Sequence, residues 1–397
     1  MKNVYVIDAV RTPIGKYGGA LSSYRPDDLL ALVISVLLQR NAGVDVNAIE
    51  EVIAGAANQS GEDNRNVARM AVLIAGLPVS VAGITVNRLC ASGLQSIMDA
   101  SRAIMCGDGE IFIAGGVESM TRAPYVMAKA NASYSRDVQM YDTTMGWRFI
   151  NPKLAAMYYP YTMGETAENV AKQWNISREE QDLFAFNSQE KYFAAKATDK
   201  FDDEIAAVEM NDKGLISWVT VDEHPRKTSL EKLAALKPAF VKDGTVTAGN
   251  SSGINDGSSA LLLASEEAVK KYSLTPMAKI VSMAVAGVEP AIMGIGPVPA
   301  TKKALERAGL KTADIGLIEL NEAFASQSIA CIKDLELDPA KVNVNGGAIA
   351  LGHPLGCSGA RISTTLLYEM KKQSVKYGLA TMCVGLGQGA AVIFESV

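Results

Sequence analysis

The chain is poor in the residues that metal centres, disulfide frameworks and nucleic-acid surfaces require. Histidine occurs only twice in 397 residues, at His224 and His353. A three-histidine metal site is therefore excluded, and neither HExxH nor a Cys/His zinc spacing is present. The five cysteines (90, 106, 331, 357 and 383) are an odd number without a CxxC pair. That spacing argues against disulfides and for reduced thiols in a cytosolic compartment. Charged residues make up 20% against 48% hydrophobic, which is too apolar for a disordered chain. The net charge is −5 and no Lys/Arg-dense block occurs, so neither nucleic acid nor an anionic membrane is an expected partner. No apolar run approaches the roughly 18 residues that span a bilayer. The opening MKNVYVID has neither the apolar centre of an export leader nor the Arg/Ser bias of a transit peptide, and the closing FESV is no peroxisomal address. A cytoplasmic location is expected.

What is present is an alternation of strand and helix signals, over a length that suggests two to three domains of roughly 150 residues. Val4 to Val10 reads as a strand and Asp27 to Gln39 as a helix. A strand near Ile84 to Arg88 precedes Leu94, Ile97, Met98 and Met105 at helical spacing, then a Gly107-Asp108 turn and the apolar run Ile111 to Ala114. Strand, helix and strand in that order predict a parallel or mixed sheet. From about Met120 to Gly244 aromatic and charged residues are denser, and Thr166 to Trp174 and Glu180 to Lys200 read as helices. This stretch reads as a largely helical insertion over the sheet core. After Thr247 the α/β pattern resumes. Strands are expected at Ile315 to Leu320, Val342 to Val344, Leu379 to Val384 and Ala390 to Phe394, with helices at Glu322 to Leu335 and Arg361 to Lys371. Two sheet domains fit this pattern, although no internal repeat is visible in the residues.

Cys90 follows the strand-like ITVNRL and opens the helical ASGLQSIMDASRAIM. Free N–H groups and the macrodipole at a helix N-terminus favour a thiolate there, and a buried structural cysteine is the alternative. His353 lies in GGAIALGHPLGCSGAR, where so much glycine suggests backbone that bends tightly or approaches a ligand; a structural histidine is the alternative. His224, in the polar DEHPRKTS, reads as a solvated surface residue. Cys383 ends a strand and runs into VGLGQG, whereas Cys106, Cys331 and Cys357 read as structural. Asn321 follows IGLIEL, where helix capping is its ordinary explanation. Gly249-Asn250-Ser251-Ser252-Gly253 satisfies GxSxG, with Asp314 and His353 in hydrolase order. The turn-rich GINDG that follows lacks the helix a nucleophile elbow needs. Gly385-Leu386-Gly387-Gln388-Gly389 is not GxGxxG and precedes a strand, so it is not a dinucleotide site.

Four separated motifs together resemble thiolases, the acetyl-CoA acyltransferases: NRLCASG around Cys90, NEAFA from Asn321, GGAIALGHPLGCSGAR around His353 and CVGLGQG from Cys383. RTPIGKYGG, AGGVESM, TAENVA and TAGNSSGINDG extend the match from end to end. The resemblance implies an α/β thiolase fold, with two similar halves forming a five-layered αβαβα core. Residues 1–271 would be the N-terminal domain, with a loop domain at about 120–248, and 272–397 the C-terminal domain. It also implies that Cys90 is acylated, that His353 activates it, and that Cys383 exchanges the proton of the acetyl-CoA carbanion. Asn321, through a water, and His353 would form one oxyanion hole, and the N–H groups of Cys90 and Gly385 the other. Arg226, Phe240, Ala248, Ser252, Met163, Ala323 and Phe324 match substrate or coenzyme A contacts, with Arg226 toward the nucleotide and Phe240 and Ser252 toward pantetheine. Coenzyme A and acetyl-CoA would be substrates rather than resident cofactors, and a homodimer or homotetramer is implied.

GEDNRNVARMA, DTTMGWRFINP and GVEPAIMGIGPVPA look most like 3-oxoadipyl-CoA thiolases of aromatic degradation. Thr162 stands where many biosynthetic members have histidine, which weighs against dedicated condensation of two acetyl-CoA. The leading expectation is degradative cleavage of 3-ketoacyl-CoA, as in β-oxidation of fatty acids, with that condensation and 3-oxoadipyl-CoA cleavage as alternatives. A dicarboxylate would want a cation, for which Arg122, Arg136, Arg148 and Lys153 are candidates. A ketoacyl synthase would need a second active-site histidine, and a catalytically silent lipid carrier would not need the full set of Cys90, Asn321, His353 and Cys383.

Overall fold

Runs of aliphatic and β-branched residues, many of them buried on both faces, generate the sheet. β1 (Val4–Arg11), β2 (Gly15–Lys16), β3 (Ile49–Gly55), β4 (Ala82–Val86) and β5 (Ile111–Ser119) come first. Two hairpins follow, β6 (Tyr125–Met127) with β7 (Met140–Asp142) and β8 (Val208–Asp212) with β9 (Leu215–Val219). β10 (Asn255–Ser265), β11 (Ala278–Gly287), β12 (Leu317–Leu320), β13 (Tyr377–Val384) and β14 (Gln388–Ser396) complete the strands. The computed structural model describes residues 2–397 and joins ten strands in the order β12-β13-β14-β11-β1-β10-β5-β3-β4, with β2 on β10. β5 and β10 are buried along their whole length, as strands covered on both faces must be.

One pairing pattern occurs twice. β3 runs parallel to β5, β5 antiparallel to β10, and β10 antiparallel to β1. In the same way β12 is parallel to β13, β13 antiparallel to β14, and β14 antiparallel to β11. The halves join where Tyr5 pairs with Lys279 and Val6 with Ala278. β3 has β4 as its parallel outer neighbour, whereas β12 has only a bridge from Ile318 to Val342. The strand expected at Val342 to Val344 is thus one pair long. The Asn343 side chain replaces the rest of the ladder, its Oδ1 accepting from Leu320 N (2.9 Å) and its Nδ2 donating to Leu320 O (2.8 Å).

Three apolar clusters define five layers. The central one unites the helices Ser92–Cys106 and Leu355–Gln373 with strands of both halves, through Leu94, Ile97, Ile362 and Leu366 against Phe112, Leu261, Met382 and Val392. A second packs the helices Pro26–Arg40 and Val67–Ile74 on the outer face of the first half. A third packs Pro297–Ala308 and Ala325–Asp334 on the outer face of the second. The order is αβαβα.

The two central helices approach closely because glycine lines their contact. A β-carbon on Gly93 would stand 2.7 Å from Gly356 O, and one on Gly359 would stand 2.1 Å from Leu94 N. Part of the glycine in residues 346–361 thus serves helix-to-helix packing rather than ligand approach. The insertion after β5 is only partly helical: four helices (Pro152–Met157, Met163–Gln173, Arg178–Lys196 and Leu230–Ala234) accompany the two hairpins. No described helix is long and apolar enough to cross a membrane.

Candidate active site

Each central helix carries a chemically capable residue on the turn that precedes it. Cys90 lies in the 3-10 turn Leu89–Ala91, where Leu89 adopts φ +46°. Side chains hold that left-handed backbone in place. Asn87 Oδ1 accepts from Leu89 N (2.8 Å), and Ser92 Oγ accepts from Arg88 N (2.9 Å) while donating to Leu89 O (2.6 Å). Asn87 Nδ2 also donates to Ala57 O (2.9 Å). Arg88 ties this turn to the other half, donating through Nε to Gln95 Oε1 (2.7 Å) and through Nη1 to Gln388 Oε1 (2.8 Å).

The expectation that a helix terminus lowers the Cys90 pKa is not met. Burial outweighs the N–H groups of Gly385 and of Cys90 itself, and the thiol is pushed up to about 11. The resting residue is a protonated thiol that needs a base. Cys383, at the end of β13, is buried, and burial together with the neighbouring Cys90 and Cys331 raises its pKa well above the usual thiol range. The turn after it, Gly385 to Gly387, has φ +65° at Leu386 and +78° at Gly387.

His353 is the one neutral, buried imidazole among these residues. Its backbone N donates to Asn255 Oδ1 (3.0 Å), and Asn255 is itself fixed through Nδ2 to Gly15 O (2.9 Å). The ring Nδ1 lies 2.5 Å from Ser358 Oγ, whose proton is donated to Pro354 O (2.8 Å). With that hydroxyl proton committed, Ser358 accepts from Nδ1–H, leaving Nε2 with its lone pair. Nε2 faces Asn321 Nδ2 at 3.4 Å. Burial, and secondarily Arg361, depresses the imidazole pKa to about 3, so the ring is neutral.

Asn321 does not cap the following helix, which begins at Ala325 with Phe324 as its N-cap. Its Oδ1 is instead buried without a partner beside His353, an orphaned acceptor poised to hold a donor such as water. Ser252 N donates to Ala323 O (3.0 Å), and Ser251 bridges to Phe324, so the 249–252 loop lies along the Asn321 segment. Ser251 donates its hydroxyl to Thr247 O (2.7 Å) and leads into β10, which removes the hydrolase reading. Met163, Ala323, Phe324 and Cys383 share one apolar cluster. Phe240 stacks edge-on with Phe324, centroids 6.1 Å apart, and its ring covers Gly164. Arg226 Nη2 holds Ala248 O at 2.7 Å on the exposed side. Thr162 forms a capping box with Glu165, the use this chain makes of the position where histidine is common in biosynthetic members.

His224 is not a solvated residue. Its ring lies against Gly253, its Nε2 is buried without a partner, and burial lowers its pKa to about 4. Four supporting residues escape sequence reasoning: Ser358, Asn255, Arg88 and Glu118. Glu118 accepts from Ala57 N (2.9 Å), Asn58 N (3.1 Å) and Gly356 N (2.7 Å), pinning the start of the helix after His353, and burial raises it to about 7. The only available signal was adjacency, since each stands inside or beside a motif already singled out.

The chain matches the thiolase N-terminal domain model over residues 4–267 and the thiolase C-terminal domain model over 274–396. It belongs to the thiolase family. It is 54% identical over 401 residues to the 3-oxoadipyl-CoA/3-oxo-5,6-dehydrosuberyl-CoA thiolase of Escherichia coli K12, covering all of both chains. It is 55% identical over 399 residues to the β-ketoadipyl-CoA thiolase of Pseudomonas aeruginosa PAO1, again with full coverage of both. Among solved structures it superposes on the human mitochondrial 3-ketoacyl-CoA thiolase in complex with CoA with a TM-score of 0.93 at 43% identity, covering 100% of this chain and 98% of that one.

Proposed function

We propose that this thiolase cleaves 3-oxoadipyl-CoA with coenzyme A, releasing acetyl-CoA and a four-carbon dicarboxyl-CoA. The observation that carries the chemistry is a neutral His353 whose Nδ1–H is held by Ser358, leaving the Nε2 lone pair as its basic site, on the turn before one central helix, with a protonated Cys90 thiol on the turn before the other. The substrate rests on full-length identities of 54–55% to thiolases named for it. Those names favour a role in aromatic degradation over fatty-acid β-oxidation.

Nε2 of His353 takes the Cys90 proton, and the sulfur attacks the C3 carbonyl. The N–H groups of Cys90 and Gly385 lie at the sulfur, where they can receive the charge that develops on the carbonyl oxygen. The C2–C3 bond breaks, and its electron pair becomes the acetyl-CoA enolate, whose oxygen is held by protonated His353 and by a donor on Asn321 Oδ1. Cys383 protonates the enolate carbon. Coenzyme A then enters, gives its thiol proton to Cys383, and attacks the acyl-Cys90 thioester to release the shortened acyl-CoA. The enzyme returns to its starting state once the His353 proton passes back to Cys90. Ser252, Ala248, Arg226 and Phe240 line the route for coenzyme A, and the enzyme acts in the cytoplasm as a homo-oligomer.

Thiolysis of 3-oxoadipyl-CoA, followed as loss of the 3-ketoacyl-CoA enolate absorbance, tests this reading together with intact mass after exposure to acetyl-CoA. The wild type gains one acetyl group, and Cys90→Ser gains none and loses thiolysis by at least about a thousandfold. Retention of most of the rate in Cys90→Ser would overturn the nucleophile assignment.

A further inference from the structure

3-Oxoadipyl-CoA differs from a fatty 3-ketoacyl-CoA of the same length by a carboxylate three carbons beyond the attacked carbonyl. A site that prefers it needs a cation at that place whose charge is not already consumed by the protein.

The segment 143–163 is fastened beside the active site at both ends. At its start, Asn58 Nδ2 donates to Thr143 Oγ1 (2.9 Å), and the preceding residue, Ala57, accepts from Asn87 of the Cys90 turn. At its end, Met163 Sδ lies 3.7 Å from where a β-carbon of Gly385 would be. Between them, Trp147 Nε1 donates to Tyr161 O (2.9 Å), and Phe149 packs edge-on against Tyr141 with centroids 4.9 Å apart. Arg148 stands between these two anchored aromatics, half-buried, and no described carboxylate lies within ion-pair distance of it.

The other cations of the region are committed or turned to solvent. Arg122 is gripped by both oxygens of Glu62 (2.5 and 2.6 Å) and donates to Ser22 O (3.1 Å). Arg136 and Lys153 are exposed. Arg88 bridges Gln95 and Gln388, and Arg226 holds Ala248 O.

We propose that Arg148 is the specificity-determining residue that binds the terminal carboxylate of a 3-oxo-dicarboxyl-CoA, a role that rests on the substrate reading above. A guanidinium suits this task because its planar fork can grip both carboxylate oxygens and its charge does not titrate.

The test compares kcat/KM for 3-oxoadipyl-CoA and 3-oxohexanoyl-CoA, which share a six-carbon chain and differ by the carboxylate, in wild type, Arg148→Gln and Arg148→Lys. Arg148→Gln is expected to lower kcat/KM for 3-oxoadipyl-CoA by about 10- to 100-fold, chiefly through KM. It should leave 3-oxohexanoyl-CoA within about twofold, which also shows that the variant is folded. Arg148→Lys should retain part of the preference. A preference that survives in Arg148→Gln refutes the role of Arg148 while the substrate reading stands, as does an equal fall on both substrates. A wild type with no preference for the dicarboxylate overturns the substrate reading, and the proposal with it.

Discussion

Replacing Ser358 by alanine isolates the one hydrogen bond that decides whether His353 can act as a base. The Ser358 hydroxyl bonds to His353 and to Pro354 O. It accepts the Nδ1–H of His353 at 2.5 Å while its own proton goes to Pro354 O. In Ser358→Ala the buried Nδ1–H loses its acceptor, at a cost of about 1–3 kcal/mol. The ring relieves that cost by moving the proton to Nε2, where it blocks acceptance of the Cys90 proton. At about 1.4 kcal/mol per tenfold, the competent tautomer falls roughly 5- to 150-fold. The rate at which acetyl-CoA acetylates Cys90, followed by quenched intact mass, should fall in that range with little change in KM for coenzyme A. Calorimetry separates this from unfolding, and His353→Ala sets the floor. A folded Ser358→Ala that acetylates within about twofold of wild type would show that the tautomer is not set by this bond.

Three further outcomes follow from the geometry. Arg88→Ala and Gln388→Ala should each raise the pH at which iodoacetamide alkylates Cys90, because their 2.8 Å bond holds the turn that brings Gly385 N–H to the sulfur. The double variant should add little to either single one, and additive shifts would separate the two residues. His353, at about 3 when folded, binds fewer protons than the unfolded chain below about pH 6.5, so stability falls with acid by about 1.4 kcal/mol per unit. His353→Gln should flatten the fall in urea midpoint between pH 6.5 and 5, and an unchanged slope would refute this. Gly359→Ala forces a methyl onto Leu94 N and should cost at least about 1–3 kcal/mol, read as a lower Tm. An unchanged Tm would mean that the central helices can separate without penalty.

The candidate residues stood out in the sequence wherever a residue type is rare and its context narrow: His353 in its glycine-rich stretch, and Cys90 and Cys383 beside turns. The duplicated sheet was legible only through the resemblance to thiolases, because pairing order and direction leave no mark on composition. The expected strand at Val342 failed because a side chain, Asn343, performs the work of backbone. Cys90 was misjudged electrostatically, since the helix terminus is visible in sequence and the burial that overrides it is not. His224 looked solvated because its neighbours are polar, yet the ring is covered by the Gly253 loop. Ser358 and Asn255 act through hydrogen bonds that only the assembled fold creates.

The repeated pairing pattern also accounts for the position of the insertion. β13 and β14 in the second half correspond to β5 and β10 in the first. In the second half the connection is the tight turn Gly385 to Gly387, immediately after Cys383. In the first half the same hairpin position has been opened to hold residues 120–254. The excursion therefore leaves and re-enters the sheet at the edge equivalent to the one that presents Cys383, and its last segment, the Ser252 loop, returns beside Asn321. An insertion rooted in that hairpin needs no separate device to reach the Asn321 segment, because the equivalence of the two halves has already aimed it. One turn position thus carries the Cys383 turn in one half and the root of the insertion in the other.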